Sequence, residues 1–172
     1  MVMINRTTSP IRIILGSDHR GRDTLTQIAS HLSQNGFSIS LLEDCQSDIL
    51  DYPDIAFRVA SEVSVGNVDF GILICGTGIG MCVVANKFPG VRAAPCHNVV
   101  AAELSRKHND ANVLCLSGDM LGERSSLSIV EKWLSTDFMG GRHFVRLEKI
   151  KSLEERYTVT NEHSAVAEPS LS

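Results

Sequence analysis

Five short apolar segments alternate with amphipathic segments along this chain, and this alternation constrains its fold more than any other feature. The apolar segments are 11–17, 37–43, 70–75, 91–95 and 112–117. Between and after them, apolar residues recur at helical spacing, as at Ile55, Val59 and Val63. Nearly continuous apolar strands that alternate with helices are typical of a parallel sheet covered on both faces. The sequence therefore predicts an α/β fold: a three-layer α/β/α sandwich around a five-stranded parallel, Rossmann-like sheet.

The ends of the chain differ in composition from its middle. The whole chain has 172 residues, which is the length of one ordinary domain. Residues 1–10 are polar and predict a flexible leader, while residues 158–172 are polar without a helical stripe and predict a disordered tail. We therefore expect the folded domain to cover residues 11–157.

Composition excludes several classes of function. The formal net charge is −4, so the chain lacks the basic excess that binds nucleic acid or an acidic membrane. No apolar run approaches the roughly 18 residues of a membrane span. The five cysteines are odd in number and form no C-x-x-C pair, which argues against a disulfide framework and a zinc site. We expect a cytoplasmic protein with no metal and no nucleic-acid or membrane partner.

Polar residues follow three of the apolar segments. The clusters are Ser17–His19, Cys75–Thr77 and Cys96–Asn98. In parallel α/β sheets, ligands bind outside the carboxyl ends of the strands. We therefore expect the three clusters to converge on one crevice.

The second cluster opens a glycine-rich turn, Gly76-Thr77-Gly78-Ile79-Gly80, between a strand and a helix. Glycines allow main-chain amides to point at an anion there. The turn is not a dinucleotide-binding fingerprint, because Met81 stands where G-x-G-x-x-G requires its last glycine, and a Walker G-K-[ST] is absent. This argues against a nucleotide-binding oxidoreductase. The turn fits a site for a phosphate or an oxyanion, or else a tight turn without a ligand.

Cys75 stands at the mouth of this turn. A buried free cysteine is usually an inert small hydrophobe, as we expect for Cys82, Cys96 and Cys115. Cys75 differs because main-chain amides at the start of a helix favour a thiolate. From its position alone, Cys75 is either a packing residue or a base or nucleophile.

Five motifs in order carry a resemblance to a known family. They are GSDHRG (16–21), DYPDIA (51–56), ILICGTGIGMCVVANKFPGVRA (72–93), SRKHNDANVL (105–114) and GGRH…R (140–146). Together they resemble the ribose-5-phosphate isomerase B family, which also includes galactose-6-phosphate isomerase subunits. The resemblance covers residues 11–157. It implies a cofactor-independent aldose–ketose isomerase of the ribose 5-phosphate and ribulose 5-phosphate type, which works through a cis-enediolate after ring opening.

The resemblance also implies roles for individual residues. Cys75 is implied as the base that moves a proton between C1 and C2, and Thr77 as part of the cradle for the enediolate oxygens. His108 is implied as the acid/base that opens the ring, and Asp18 as a second acid/base group. The implied substrate contacts are His19, Tyr52, Gly76, Gly78, Gly80, Asn109, Arg142 and Arg146, the two arginines as phosphate clamps. Active sites are implied to be shared between subunits of a homodimer or tetramer.

The same residues also fit structural roles. Asp18 fits a helix N-cap, and His108 with Asn109 and Asp110 fits a C-cap and turn cluster. Arg142 and Arg146 fit a solvated helix face. The alternative function is a catalytically silent sugar-phosphate-binding module on the same fold. The joint presence of the proposed acid and base groups argues against it, because a silent binder needs no base.

Asp119 departs from the family pattern. The loop after the fifth strand usually reads G-x-R in the family, with an arginine that contributes to phosphate binding, and Asp119 takes that place. A carboxylate there would repel a phosphate dianion. Arg20 stands where the family usually has a small or apolar residue, so either Arg20 replaces the missing cation in binding substrate or the substrate differs. We predict a substrate other than ordinary ribose 5-phosphate: another sugar phosphate, or a sugar without phosphate.

Overall fold

A computed structural model of the protein describes residues 10–42 and 51–164, with side chains to residue 157. In these residues the chain forms alternating strands and helices. In chain order they are β1 (Arg12–Ser17), α1 (Arg22–Gln34), β2 (Ser38–Leu41), α2 (Tyr52–Ser64), β3 (Phe70–Cys75), α3 (Ile79–Ala85), β4 (Ala93–Pro95), α4 (Val99–Asn109), β5 (Val113–Ser117), α5 (Glu123–Leu134) and α6 (Arg142–Ser164). β4 is shorter than predicted, because the Arg92 amide donates to the Asn112 side chain (2.7 Å) rather than joining the ladder.

The chain divides into two compact units, Met1–Phe138 and Met139–Ser172. The first contains β1 to α5, and the second contains α6. The helical backbone of α6 continues to Ser164, into the segment for which the sequence predicts a polar tail. Residues 1–9 of the predicted leader and residues 165–172 of the tail lie outside the described residues, so the order of these ends stays a prediction. None of the described helices combines the length and apolarity needed to cross a lipid bilayer.

The five strands form one sheet in the order β2-β1-β3-β5-β4, and every neighbouring pair is parallel. This confirms the predicted five-stranded parallel sheet. Ser17 is in register with Ile74, and Cys75 is in register with Ser117. The carboxyl ends of β1, β3 and β5 therefore lie side by side, with β3 in the middle.

Alternating strand side chains build a separate core on each face of the sheet. On one face, strand residues such as Leu15 and Ile74 pack with residues of α1, α4 and α5. On the other face, Leu73 and Cys75 pack with α2 and α3. This confirms the three-layer arrangement, and it places the Cys75 side chain on the α2 and α3 side.

The helices that follow β1 and β3 lie on opposite faces of the sheet, since α1 belongs to one core and α3 to the other. Two adjacent parallel strands whose following helices diverge in this way open a crevice at their carboxyl ends, where α/β proteins bind their ligands. By this rule, the ligand crevice is expected between the residues that follow Ser17 and those that follow Cys75.

Candidate active site

Cys75 is the last residue of β3, and its sulfur is held inside the glycine turn. The main-chain amide of Gly78 donates to Cys75 Sγ at 3.2 Å. Gly78 adopts a left-handed conformation with φ of 76°, and an added Cβ would lie 3.0 Å from the Leu116 carbonyl. Only glycine fits both conditions without strain. Cys75 is 5% exposed, so its sulfur is a buried hydrogen-bond acceptor at the start of the glycine turn.

Hydrogen bonds from the end of β5 hold this turn in place. Ser117 Oγ donates to the Gly76 carbonyl at 2.6 Å, and the amide of Gly118 donates to the Cys75 carbonyl at 2.8 Å. The amide of Asp119 donates to the Gly76 carbonyl at 3.2 Å. Sequence reasoning missed this role of β5. The polar Ser117 at the end of a buried apolar strand was the available signal, but the adjacency of β5 to β3 depends on strand order.

The expected convergence of three polar clusters does not hold for Cys96–Asn98. They follow β4, which β5 separates from β3, so this strand end lies about 10 Å away from β3. Cys96 is buried, with its sulfur 3.8 Å from Ser105 Oγ. Asn98 is the N-cap of α4 and accepts from the Ala101 amide at 2.8 Å. These residues serve the start of α4.

Asp18 lies beside the glycine turn. Its amide donates to the Ile74 carbonyl at 3.2 Å, and its Oδ1 accepts from the Arg20 amide at 2.9 Å. The alternative role of helix N-cap is wrong, because α1 begins after Gly21 with no side-chain cap. The carboxylate instead closes a local turn, which holds it at the end of β1 next to the end of β3. Asp18 is buried and the adjacent His19 is exposed.

Tyr52 reaches the glycine turn from α2. Asp51 caps this helix by accepting from the Tyr52 amide at 2.8 Å, which fixes Tyr52 as its first residue. The tyrosine ring lies so close to Gly80 that an added Cβ there would stand 2.6 Å from a ring carbon. Thr77, on the exposed side of the turn, accepts from the Ile79 amide at 3.3 Å. Two predicted substrate contacts, Tyr52 and Gly80, are thus neighbours.

Arg20 and Asp119, the two departures from the family pattern, are ion-pair partners. Arg20 Nε lies 3.0 and 2.9 Å from the two carboxylate oxygens, and Arg20 Nη2 lies 2.6 Å from Oδ2. The pair rests on Gly76, where an added Cβ would be 3.0 Å from Asp119 Oδ2 and 3.1 Å from Arg20 Nε. The hydrogen bonds and charge of Asp119 raise the pKa of Arg20 above its ordinary value. The sequence, which separates them by 99 positions, did not indicate this contact.

His108 and Asn109 lie at the opposite edge of the sheet. They are the last two residues of α4, and Asp110 is the C-cap in a left-handed conformation with φ of 45°. Arg92, which precedes β4, donates from Nε to the Asn109 and Asp110 carbonyls, at 3.0 Å each. The 11 residues of α4 span about 16 Å from the carboxyl edge back to the amino edge. Within one chain, the structure therefore does not bring His108 together with Cys75.

Arg142 and Arg146 begin α6 in the second unit, and both are exposed. Their four-residue spacing places them on the same side of the helix. Arg142 Nε lies 3.5 Å from His143 Nε2. Their role as phosphate clamps stays a prediction.

The other described cysteines are buried and free. Burial raises the pKa of Cys96 to about 11, so it is a neutral thiol at physiological pH. Hydrogen bonding between Cys82 and Cys115 lowers the pKa of the first and raises that of the second, which is fully enclosed. Within the described ranges, no group of three or more His, Cys, Asp or Glu side chains is placed to hold a metal ion.

Comparisons with known proteins identify similar chains over nearly the whole length of the described fold. The model of the ribose/galactose isomerase family matches residues 13–150. The chain is 42% identical to ribose-5-phosphate isomerase B of Escherichia coli over 145 residues, which is 84% of this chain and 97% of that protein. It is 37% identical to the D-erythrulose-4-phosphate isomerase of Pectobacterium atrosepticum over 147 residues, 85% of this chain and 97% of that protein.

A solved structure is similar in the same region. It is ribose-5-phosphate isomerase B of Mycoplasma genitalium with bound ribulose 5-phosphate, and it superposes with a TM-score of 0.81 at 41% identity. The match covers 84% of this chain and 97% of that structure.

Proposed function

This chain belongs to the ribose/galactose isomerase family, and on that premise we propose that it interconverts an aldose and a ketose sugar phosphate through a cis-enediolate. The observation that carries the proposal is the Cys75 thiol, held by the Gly78 amide at the crevice that Asp18 borders. An isomerase needs a base beside an oxyanion site, and this turn offers a candidate for each: the Cys75 thiol and the main-chain amides of the glycine turn. Ribose 5-phosphate and ribulose 5-phosphate are the first pair to test.

The central step is proton transfer between C1 and C2. Cys75 as the thiolate removes the C2 proton of the open-chain aldose, and the C2–H electron pair forms the enediolate as the carbonyl oxygen gains negative charge. The hydroxyl proton on O2 passes to O1, and when the same thiol delivers its proton to C1, the electron pair on O2 forms the carbonyl of the ketose. Main-chain amides of residues 76–80, together with Thr77, stabilise the negative oxygen of the intermediate. Tyr52, which lies against Gly80, contacts the sugar on the α2 side.

Ring opening precedes this step and needs an acid and a base. A proton must leave the hydroxyl on C1 and another must reach the ring oxygen, which is work suited to an imidazole near neutral pH. His108 takes this role, with Asn109 beside it and Asp18 as the second acid/base group. The phosphate is expected at Arg142 and Arg146, whose guanidinium groups match phosphate geometry.

A second copy of the chain supplies His108. Cys75 lies at the carboxyl edge of the sheet and His108 at the amino edge. This separation supports the proposal, because one chain cannot bring both groups to the same sugar. Exposed apolar residues on α3 also support it: Ile79 and Val83 are 53% and 55% exposed, one helical turn apart on the helix that begins at the turn. Burial of such residues against another subunit would be favourable. We therefore propose a homodimer, or a dimer of dimers, with shared active sites.

The sugar itself is proposed to differ from ribose 5-phosphate. Asp119 adds a carboxylate at the crevice, where it disfavours a phosphate dianion. A family member whose name specifies D-erythrulose 4-phosphate is 37% identical to this chain. The substrates to be tested therefore include sugar phosphates other than ribose 5-phosphate.

The proposal is tested by assaying ketose formation from pentose, tetrose and hexose aldoses, each with and without its phosphate. We expect turnover of at least one sugar phosphate, with solvent deuterium entering the product at the carbon that receives the proton. Cys75→Ala should abolish it, and Cys96→Ala, a buried cysteine away from the crevice, should leave it. Binding of sugar phosphates without turnover or isotope exchange would identify a silent binding module instead.

A further inference from the structure

We propose that Arg20 and Asp119 act together as a hydroxyl-binding pair that selects the sugar at the mouth of the site. This inference rests on the proposed function, because it names the part of the substrate that the same crevice distinguishes. It assigns the pair to the hydroxyl-bearing carbons beyond C2 rather than to the phosphate.

The pair bridges the strand that carries Cys75. Arg20 follows the end of β1, Asp119 follows the end of β5, and β3 lies between those two strands. The ion pair rests on Gly76, the residue immediately after Cys75. A sugar whose C1 and C2 face the Cys75 sulfur therefore has its remaining carbons within reach of the pair.

The local charge favours hydroxyl groups over a phosphate. The Arg20 side chain makes three hydrogen bonds to Asp119, and it also interacts electrostatically with Asp18. One guanidinium between two carboxylates leaves a formal charge of −1, which repels a phosphate dianion. A sugar hydroxyl both donates and accepts, so it can give its hydrogen to the carboxylate and receive one from the guanidinium.

The pair also retains hydrogen-bonding capacity. Among the described residues, Arg20 Nη1 has no hydrogen-bond partner, since the contacts with Asp119 use Nε and Nη2. The side chains of Arg20 and Asp119 are 54% and 37% exposed. The pair Arg12–Asp69 has similar exposure, 48% and 43%, but Arg12 also donates from Nη1 to the Asn67 carbonyl and from Nη2 to the Gly66 carbonyl. Arg12–Asp69 is therefore the matched control for an ion pair with a structural role.

The experiment measures kcat and KM for wild type, Asp119→Asn, Arg20→Gln and Asp69→Asn. The substrates are the sugar phosphate that wild type turns over best, its single-deoxy analogues beyond C2, and the same sugar without phosphate. Asp119→Asn and Arg20→Gln should each lower kcat/KM for the parent sugar about ten- to a hundredfold, mainly through KM. For the deoxy analogue that lacks the hydroxyl bound by the pair, kcat/KM in these variants should be nearly the same as in wild type. Asp69→Asn should behave as wild type. Because the Asp119 carboxylate repels a phosphate, Asp119→Asn should raise the preference for the phosphorylated sugar slightly, and Arg20→Gln should lower it slightly without abolishing it.

Three results would overturn the proposal. A phosphate preference that collapses in Arg20→Gln would make Arg20 a phosphate ligand. Equal kinetics in all variants, or equal further losses with every deoxy analogue, would remove any hydroxyl contact by the pair.

The proposed function can fail separately, if wild type turns over no aldose. Calorimetric binding of the same sugars to the same variants then decides the question: weaker binding in Asp119→Asn and Arg20→Gln alone supports the pair. Unchanged binding in these variants, or no binding by wild type, rejects it.

Discussion

The two edges of the sheet use arginine and aspartate in opposite ways. At the amino edge, Arg12 and Arg92 donate to main-chain carbonyls as well as to their carboxylate partners. At the carboxyl edge, the hydrogen bonds of the Arg20 side chain to described residues all go to Asp119. The difference shows that the arginine side chains of the amino edge tie main-chain segments together, whereas the Arg20 side chain is bound to one carboxylate.

Arg106 shows how far the amino edge is committed to the fold. It is 5% exposed, and its guanidinium lies 4.9 Å from the Phe70 ring and 5.4 Å from the Trp133 ring. Nη1 donates to Asp110 Oδ1 at 2.8 Å and to the Ala111 carbonyl at 2.7 Å. A buried cation is tolerated only with such partners, and this one anchors the end of α4 that presents His108.

Mixing two inactive variants gives the largest effect that follows from this comparison. Cys75→Ala and His108→Ala should each lose about a thousandfold in kcat. Heterodimers formed by refolding the two together contain one intact site, if each site combines the carboxyl edge of one chain with the amino edge of another. An equal mixture should therefore recover about a quarter of wild-type activity. The measurement is specific activity after mixing, with each variant refolded alone as control. No recovery in a verified mixed dimer would contradict a shared site.

Removing the buried guanidinium should affect stability most strongly. Arg106→Met should lower the free energy of unfolding by about 3 kcal/mol, because it leaves the Ala111 carbonyl without its donor and breaks a buried ion pair. Urea unfolding followed by circular dichroism measures this. The same replacement at the carboxyl edge, Arg20→Met, should cost less than about 0.5 kcal/mol. Similar losses from both would erase the distinction between the edges.

A methyl group at position 80 tests the carboxyl edge by steric means. Gly80→Ala should displace the Tyr52 ring, which stands 2.6 Å from the added carbon, and so raise KM about tenfold. Gly122→Ser is the control, because an added Cβ there meets nothing within 4 Å and serine is a good N-cap. In Tyr52→Ala, the further Gly80→Ala change should have little effect on KM. A full tenfold rise in that background would show that the ring is not what the methyl group displaces.

The two exposed ion pairs should differ slightly in their contribution to stability. Asp69→Asn should lower the free energy of unfolding by about 1 kcal/mol, because Asp69 also accepts from the Arg12 amide at 2.8 Å. Asp119→Asn should change it by less than about 0.5 kcal/mol. Paired urea titrations of both variants measure the difference. A larger loss from Asp119→Asn would assign the carboxyl-edge pair to the fold.

Much of the fold could be predicted from the sequence, because periodicity is a local property. Continuous apolar runs such as 70–75 identify buried strands wherever they pair. Strand order is not local, so the position of β4 at the sheet edge, away from Cys75, could not be read from the sequence.

The candidate site was predictable to the same extent. The sequence locates Cys75 in the glycine turn, because strand and turn are contiguous in the chain. It does not reveal that Arg20 meets Asp119, since that contact depends on β1 and β5 flanking β3. It also suggested Asp18 as an N-cap, whereas the helix begins only after Gly21, and a difference of a few residues in a helix start lies beyond what propensity can resolve.

The hydroxyl of Ser117 links the loop after β3 to the loop after β5. It donates to the Gly76 carbonyl and accepts from the Met120 amide at 2.9 Å, so the stretch bearing Asp119 and the stretch bearing Cys75 form one mechanical piece. We therefore expect related chains to vary in this segment by substitution rather than by insertion or deletion. A change in the length of residues 118–120 would break these hydrogen bonds and shift the turn that holds Cys75.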